Sequence, residues 1–347
     1  MELTMDMGPI GGPEGAHSSL HTPRLHHRSE QHGRLEPDAL CAICGEQGAL
    51  LVFRGPDRLM RLPGEFQVVR CRRCTTFYQW PRLPWSELQR YYEGDYDSYA
   101  TAIQDEPSWL RRAVRRVYPR KMRHFVERFC QTGQLLDVGC GSGLFLEEMQ
   151  QTGRWTLQGL EPTAAAADYV RRRFGIPVLE QTFEQADLPA ESLDVVTLWH
   201  VLEHVADPLL TLRTIWHALR PGGHLICSIP NYESLSRRLF GPYWVGWDLP
   251  RHLFIFPRAT LVALLEREGF QPRADACFMI SYASLGHSLD FWQQEWPAAA
   301  QPAATLLRRL YASPIGRLGS YPPQLLVERL GLATVTTWAF QKAARHD

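Results

Sequence analysis

From residue 134 to the last strand-like run, apolar strands and amphipathic helices alternate along the chain. That order restricts it to a sheet of mostly parallel strands with helices on both faces. "QLLDVG" reads as a buried strand, "LFLEEMQQTG" as a helix closed by Gly153, and "WTLQGLE" as a second strand. "TAAAADYVRRRFG" is a helix ending at Gly175, "IPVLEQ" a third strand and "LDVVTL" a fourth. Asp207 is placed to cap a new helix with Pro208 in its first turn, a helix that stops before "RPGG". "HLICSIP" is a fifth strand, "RATLVALLEREGF" a helix, and "FQPRADACFMI" and "ATVTTWAFQKA" two further strands. The Pro-punctuated stretch 283–330 between them is too long for a hairpin loop and is expected to be a helical insertion that builds or covers a pocket.

The turn after the first of these strands, "VGCGSG", sets Gly139, Gly141 and Gly143 between a strand and a helix, where backbone amides can approach a ligand closely. Glu161 ends the next strand about twenty residues on, where an acid can accept both ribose hydroxyls of an adenosine. The spacing is not G-x-G-x-x-G, which disfavours a nicotinamide dehydrogenase.

"LLDVGCGSG", "LQGLEP", "ESLDVVTLWHVLEHVADP", "LRPGGHLICSIPN" and "REGF" together resemble the class I S-adenosylmethionine-dependent methyltransferases over about residues 134–342. The resemblance implies a Rossmann-like sheet of seven strands, the last antiparallel between its neighbours. It implies that Asp137 faces the methionine amine, that Gly139, Cys140, Gly141 and Gly143 line the cofactor, and that Glu161, followed by Pro162, holds the ribose. It places Thr182 and Phe183 beside adenine, and Trp199 and His200 beside the methyl-bearing end.

Ahead of this domain, Cys41-x-x-Cys44 and Cys71-x-x-Cys74 stand 26 residues apart. Two such turns can close a tetrahedral thiolate shell around a structural zinc. A disulfide or iron–sulfur cluster is the alternative. The arrangement resembles the zinc-containing methyltransferases of sugar, polysaccharide and natural-product pathways. The expected organisation is a disordered tail over 1–38, a zinc ribbon over 39–80, a helical linker or lid over 81–133, and the methyltransferase domain over 134–347. Five tail histidines, from His17 to His32, offer weak metal binding at most. Eight Arg or Lys between Arg111 and Arg128 read as a solvated helix face, with phosphate binding as the sharper alternative.

"HVLEH", residues 200–204, has the H-x-x-E-H spacing of one class of zinc peptidases. A peptidase site needs both histidines inside a long helix, but here His200 directly follows a strand and Asp207 opens a new helix three residues past His204. The segment is therefore expected at the carboxyl edge of the sheet, with His200 facing the methyl donor. Methyl transfer to a hydroxyl needs an in-line approach, exclusion of water and a base. His200 and His252 are the candidate bases, and His204 reads as packed or helix-terminal. "YWVGWDLPRHLFIF" is expected to bring Trp244, Trp247, Asp248 and Arg251 into one substrate-pocket wall, with Arg251 available to an anionic group.

Lys and Arg balance Asp and Glu at 37 each, which gives no whole-chain reason for a nucleic-acid or anionic-membrane partner. No run reaches the roughly 18 apolar residues of a membrane span, and nothing resembles a signal peptide, so a cytoplasmic location is expected. The resembling sugar enzymes usually carry a further C-terminal domain, whereas this chain ends with the sheet. The expected reaction is thus methylation of a hydroxyl on a small molecule such as a sugar, glycan precursor or natural product. C-methylation of a nucleotide-linked keto-sugar, methylation of rRNA by a zinc-ribbon enzyme, and non-catalytic binding are the competing readings. Oligomeric state is open.

Overall fold

The computed structural model describes residues 33–92, 116–277, 282–295 and 301–343. The histidine-bearing tail through residue 32, and the basic segment as far as residue 115, lie outside these residues.

Two sheets organise the chain. The first is formed by β1 (Leu35–Leu40), β2 (Gln47–Pro56), β3 (Glu65–Cys71) and β4 (Phe77–Gln79), each antiparallel to the next. The expected ribbon boundary at residue 39 falls inside β1, so the ordered module begins earlier than its cysteines suggest. The second sheet takes β5 (Gly133–Val138), β6 (Trp155–Leu160), β7 (Val178–Leu179), β8 (Leu193–Trp199) and β9 (Leu219–Pro230), with β11 (Phe270–Ala276) and β12 (Val335–Lys342) at one edge. Its order is β11-β12-β9-β8-β5-β6-β7, and only β12 runs antiparallel to both its neighbours. That is the expected seven-stranded α/β sheet. One element differs: β9 starts at Leu219 and takes in "RPGG", with an irregular register against β8 between Leu193 and Val195.

Helices α1 (Trp85–Leu88) and α2 (Val117–Glu127) precede this sheet. Within it lie α3 (Leu144–Gln150), α4 (Ala164–Phe174), α5 (Pro208–Ala218), α6 (Leu235–Phe240) and α7 (Arg258–Arg267). Asp207 caps α5 as expected, accepting the amides of Leu209 and Leu210, both at 3.0 Å. On α2 the basic residues are paired: Arg123 bridges Glu127 and Glu148, and Lys121 reaches Glu328. This arrangement fits the solvated-face reading. The 283–330 stretch forms α8 (Tyr282–Gln294), α9 (Gln301–Ala312) and α10 (Pro314–Arg329). Among the described residues no helix is long and apolar enough to cross a membrane.

The two sheets share one hydrophobic core. A short strand, β10 (Phe254–Ile255), lies in the chain between β9 and β11 yet pairs with β4, so the larger α/β half supplies the last strand of the first sheet. Phe53 and Phe77 of the ribbon pack edge-on against Trp247, with ring centroids 5.1 and 5.6 Å away. Burying one such ring is worth about 2–3 kcal/mol, and the shared cluster makes the ribbon part of the fold rather than a tethered bead.

Candidate active site

The carboxyl ends of β5, β6, β8 and β9 converge at the point where the chain turns from one side of β5 to the other, the usual crevice of a doubly wound sheet. Glycine shapes its floor. Gly139 has φ 64°, and a Cβ there would sit 2.7 Å from Val201 Cγ2. Gly143 opens α3 at φ 77°, and its Cβ would fall 2.9 Å from Val170. Neither position admits a side chain without movement. The amides of Gly139 and Cys140 donate to Leu160 O, which ties the turn to β6.

Glu161 is buried, and both its oxygens are already aimed: Oε2 accepts Gly141 N at 3.0 Å and Oε1 accepts Thr163 N at 2.9 Å. Each carboxylate oxygen keeps a further lone pair, so the acid is held in place and can still accept hydroxyls. Asp137 is buried at the end of β5 and accepts a 2.6 Å hydrogen bond from Thr197 Oγ1. Burial pushes its carboxyl up to about 7, against the Thr197 hydrogen bond and with help from the charge of Glu161. The folded value lies above the ordinary 3.8. The neutral form therefore stabilises the fold fully below pH 3.8, and that stability is lost as pH rises through about 7. Asp137→Asn is expected to flatten this dependence, raising the melting temperature of the ligand-free chain more at pH 8 than at pH 5, as thermal scans at the two pH values would read.

Thr182 caps a single turn over Phe183–Gln185, and Phe183 is buried in the main core. Trp199 packs edge-on to Phe145 at 5.1 Å, and its Nε1 is a buried donor with no hydrogen-bond partner among the described residues. A buried orphan donor beside the glycine turn suits a polar ligand in this crevice.

His200 ends β8 in the left-handed region at φ 58°, a conformation that non-glycine residues adopt mainly where the surrounding structure imposes it. The turn swings its imidazole toward Glu203, and Nδ1 lies 3.1 Å from Glu203 Oε1. The His200 side chain keeps 31% of its surface open, while Glu203 has none. Burial opposes ionisation of Glu203, but the hydrogen bond and charge of His200, with His204 and His252, hold its carboxyl below the ordinary range. His204 is packed, as expected: its Nδ1 lies 3.0 Å from both Arg251 O and Tyr92 Oη. Burial, then the charge of His252, push it down to about 4, so it is neutral at physiological pH. His252 is 10% open, and its Nδ1 donates to Gly246 O at 2.7 Å. Of the two expected bases, only His200 faces open space.

The expected role of Arg251 in the pocket wall is corrected. Arg251 is completely buried and grips Asp57 of the ribbon with two nitrogens, at 2.7 and 3.1 Å. It also grips Asp248 at 2.7 and 3.0 Å and donates to Tyr91 O at 3.1 Å. Trp244 and Trp247 are buried, Trp247 against ribbon aromatics. The "WDLPRH" loop therefore faces the ribbon, because a guanidinium with two buried carboxylates in reach cannot also serve an exterior anion.

The four expected cysteines come together. Cys41 and Cys74 Sγ lie 3.6 Å apart, and Cys44 and Cys71 Sγ 3.5 Å apart. Thiolates about 2.3 Å from a tetrahedral ion stand roughly 3.8 Å from one another, so the set fits one. The hydrogen bond with Cys74 and burial push the Cys41 thiol up, burial raises Cys44, and the hydrogen bond with Cys41 lowers Cys74; four thiolates this close would need a cation between them.

Sequence reasoning missed Asp57, Tyr92 and Thr197, which reach their partners only through the fold. Glu203 lay inside the quoted "HVLEH", where an acid three residues from a histidine was a visible signal.

Residues 110–274 match the family model described as a methyltransferase domain. The sheet order, with its last strand antiparallel, and the glycine turn are consistent with the Rossmann-like methyltransferase fold. A relative named ubiquinone biosynthesis O-methyltransferase, from Cereibacter sphaeroides, is 34% identical over 160 residues, covering 40% of this chain and 60% of its own. One of the same name from Aliivibrio fischeri is 37% identical over 108 residues, covering 30% and 46%. The chain thus spans no more than 60% of these relatives. Among solved structures, an S-adenosylmethionine-dependent methyltransferase of Thermotoga maritima matches at 25% identity and a TM-score of 0.39, covering 47% of this chain and 75% of that one.

Proposed function

We propose that the chain methylates a hydroxyl of a small molecule, such as a sugar, glycan precursor or natural product, with His200 as the base. The observation that carries this reading is the His200–Glu203 pair at the mouth of the crevice, with Nδ1 bonded to a buried carboxylate. S-adenosylmethionine, when bound, supplies an electrophilic sulfonium methyl. Glu161 would hold its ribose, Asp137 its amine, and the Gly139–Gly143 turn its backbone-facing edge, with Thr182 and Phe183 beside adenine. Glu203 accepts the Nδ1 proton of His200, which fixes the tautomer and leaves Nε2 to take the acceptor's proton.

The names of the relatives support oxygen as the methylated atom, and a phenolic hydroxyl joins the sugars as an acceptor to test. Neither C-methylation nor rRNA methylation gains support from these relatives. Calorimetry with S-adenosylmethionine is the direct test: absence of binding at millimolar cofactor would sink the enzyme reading. Transfer of labelled methyl to sugar and phenol panels, with the product's methyl shift read by NMR, then separates oxygen from carbon.

For the ribbon, the four sulfurs support structural zinc, and eight unbridged cysteines support a reducing, cytoplasmic location. Zinc also has a route to the active site, through β4 to β10 and the loop that carries His252. Chelation of the metal, or Cys71→Ser, is expected to abolish methyl transfer and open the 244–257 loop to protease. Retained activity with a metal-free ribbon would contradict that coupling.

A further inference from the structure

Two further histidines lie beside the methyl-transfer pair and share its acid. Glu203, His204 and His252 each offer a ligand atom, all within 4.8 Å of one another. Their tautomers follow from the backbone. Arg251 O and Gly246 O can only accept, so the Nδ1 atoms of His204 and His252 carry the protons, and each Nε2 keeps its lone pair. This is the arrangement that orients imidazole ligands around metals, with a carbonyl bonded to the far ring nitrogen. The rings meet at 77° with centroids 4.6 Å apart. Glu203 is fully buried, with Oε1 on His200 and Oε2 without a hydrogen-bond partner among the described residues. Asp248 Oδ2 stands 3.9 Å from His252 Nε2, beyond hydrogen-bond reach.

Charge points the same way. Asp248 and Asp57 share the Arg251 guanidinium, while the ion partner of Glu203 among the described residues is His200. Lone pairs from two imidazoles and a carboxylate directed at one small volume repel unless a cation lies between them. Two nitrogens and one oxygen suit a divalent first-row transition ion better than Mg2+ or Ca2+, which favour oxygen shells.

We propose that Glu203, His204 and His252 form a second metal site, separate from the four cysteines, that takes one divalent first-row transition ion. The backbone builds it: the amides of Leu253 and Phe254 both donate to Glu203 O, at 2.8 and 3.1 Å, which brings His252 to the acid from 49 residues along the chain. Occupancy does not depend on the methyl-transfer reading. Only its consequence does, because a cation one carboxylate away from His200 would favour the deprotonated acceptor oxygen.

The test uses the full chain with its ribbon metal in place and Mn2+ as probe, since Mn2+ competes poorly for thiolates. Loss of the free-ion paramagnetic resonance signal is expected to show one Mn2+ per chain. Glu203→Gln and His252→Asn are expected to weaken uptake at least ~10-fold, His252→Asn keeping a donor for Gly246 O. In the wild type, bound Mn2+ should broaden the imidazole signals of His204 and His252. No uptake at millimolar Mn2+ by a chain that still binds S-adenosylmethionine would overturn the proposal, as would equal uptake by both folded variants. If a variant unfolds, unbroadened imidazole signals in the wild type would overturn it alone. Calorimetry with S-adenosylmethionine reports separately on the methyltransferase reading.

Discussion

Arg251→Ala is expected to destabilise the fold by about 3–5 kcal/mol, the range found when one partner of a buried ion pair is removed. The wild-type side chain is fully buried between Asp57 and Asp248, and it also holds the carbonyl of Tyr91. Burial alone would work against the charged guanidinium, but Asp248 and Asp57 hold its pKa above the ordinary value. Alanine leaves both carboxylates in low dielectric without a counter-charge, and water cannot readily reach them. Urea unfolding should show the loss as a lower midpoint. Arg251→Lys should restore only part of it, because an ammonium cannot reproduce the forked contacts to two acids. A change within about 0.5 kcal/mol, the level of an ordinary surface substitution, would mean that the clamp contributes little. The effect should extend beyond the loop, since Asp57 belongs to the ribbon and Tyr91 to the segment after β4.

His200→Ala is expected to lower kcat for methyl transfer by about 10²–10⁴, the usual contribution of a positioned general base. Affinity for S-adenosylmethionine should change little, because Asp137, Glu161 and the glycine turn are untouched. The split between a reduced kcat and an intact cofactor affinity separates loss of the base from loss of the fold. Glu203→Gln should move kcat in the same direction. It removes the charge that stabilises a protonated His200, and it can present the wrong hydrogen-bonding atom to Nδ1. Recovery of the alanine variant at high pH, where the acceptor ionises without help, would strengthen the assignment. An unchanged kcat would remove His200 from the base role.

Much of the fold was legible because its signals are local. Alternation of apolar strands with helices, Asp207 before Pro208, and the glycines after β5 each act within one or two turns of chain. The two C-x-x-C pairs were equally plain, since each is its own turn and thiolate ligands need only meet once. The half-buried His200 at the sheet's carboxyl edge followed from its position after a strand. The inward turn of Arg251 was hidden for the opposite reason. Aromatic and charged residues clustered in sequence suit a pocket wall and a buried interface alike, and the deciding partner, Asp57, lies 194 residues away.

The sequence by itself determined the doubly wound sheet, the glycine turn with its acid, and the grouping of the four cysteines, because periodicity, caps and short-range spacing carry that information. Only the tertiary structure decided that β10 would complete the ribbon sheet, that Arg251 would face inward, and that "HVLEH" would meet His252. Those outcomes rest on which buried charges and backbone groups find partners across the fold. Glu203 shows both sides: its place in the motif is local, but its carbonyl holds β10 and its carboxylate joins His200 to a pair of histidines. No window of sequence contains that environment, since burial is a property of the assembled core.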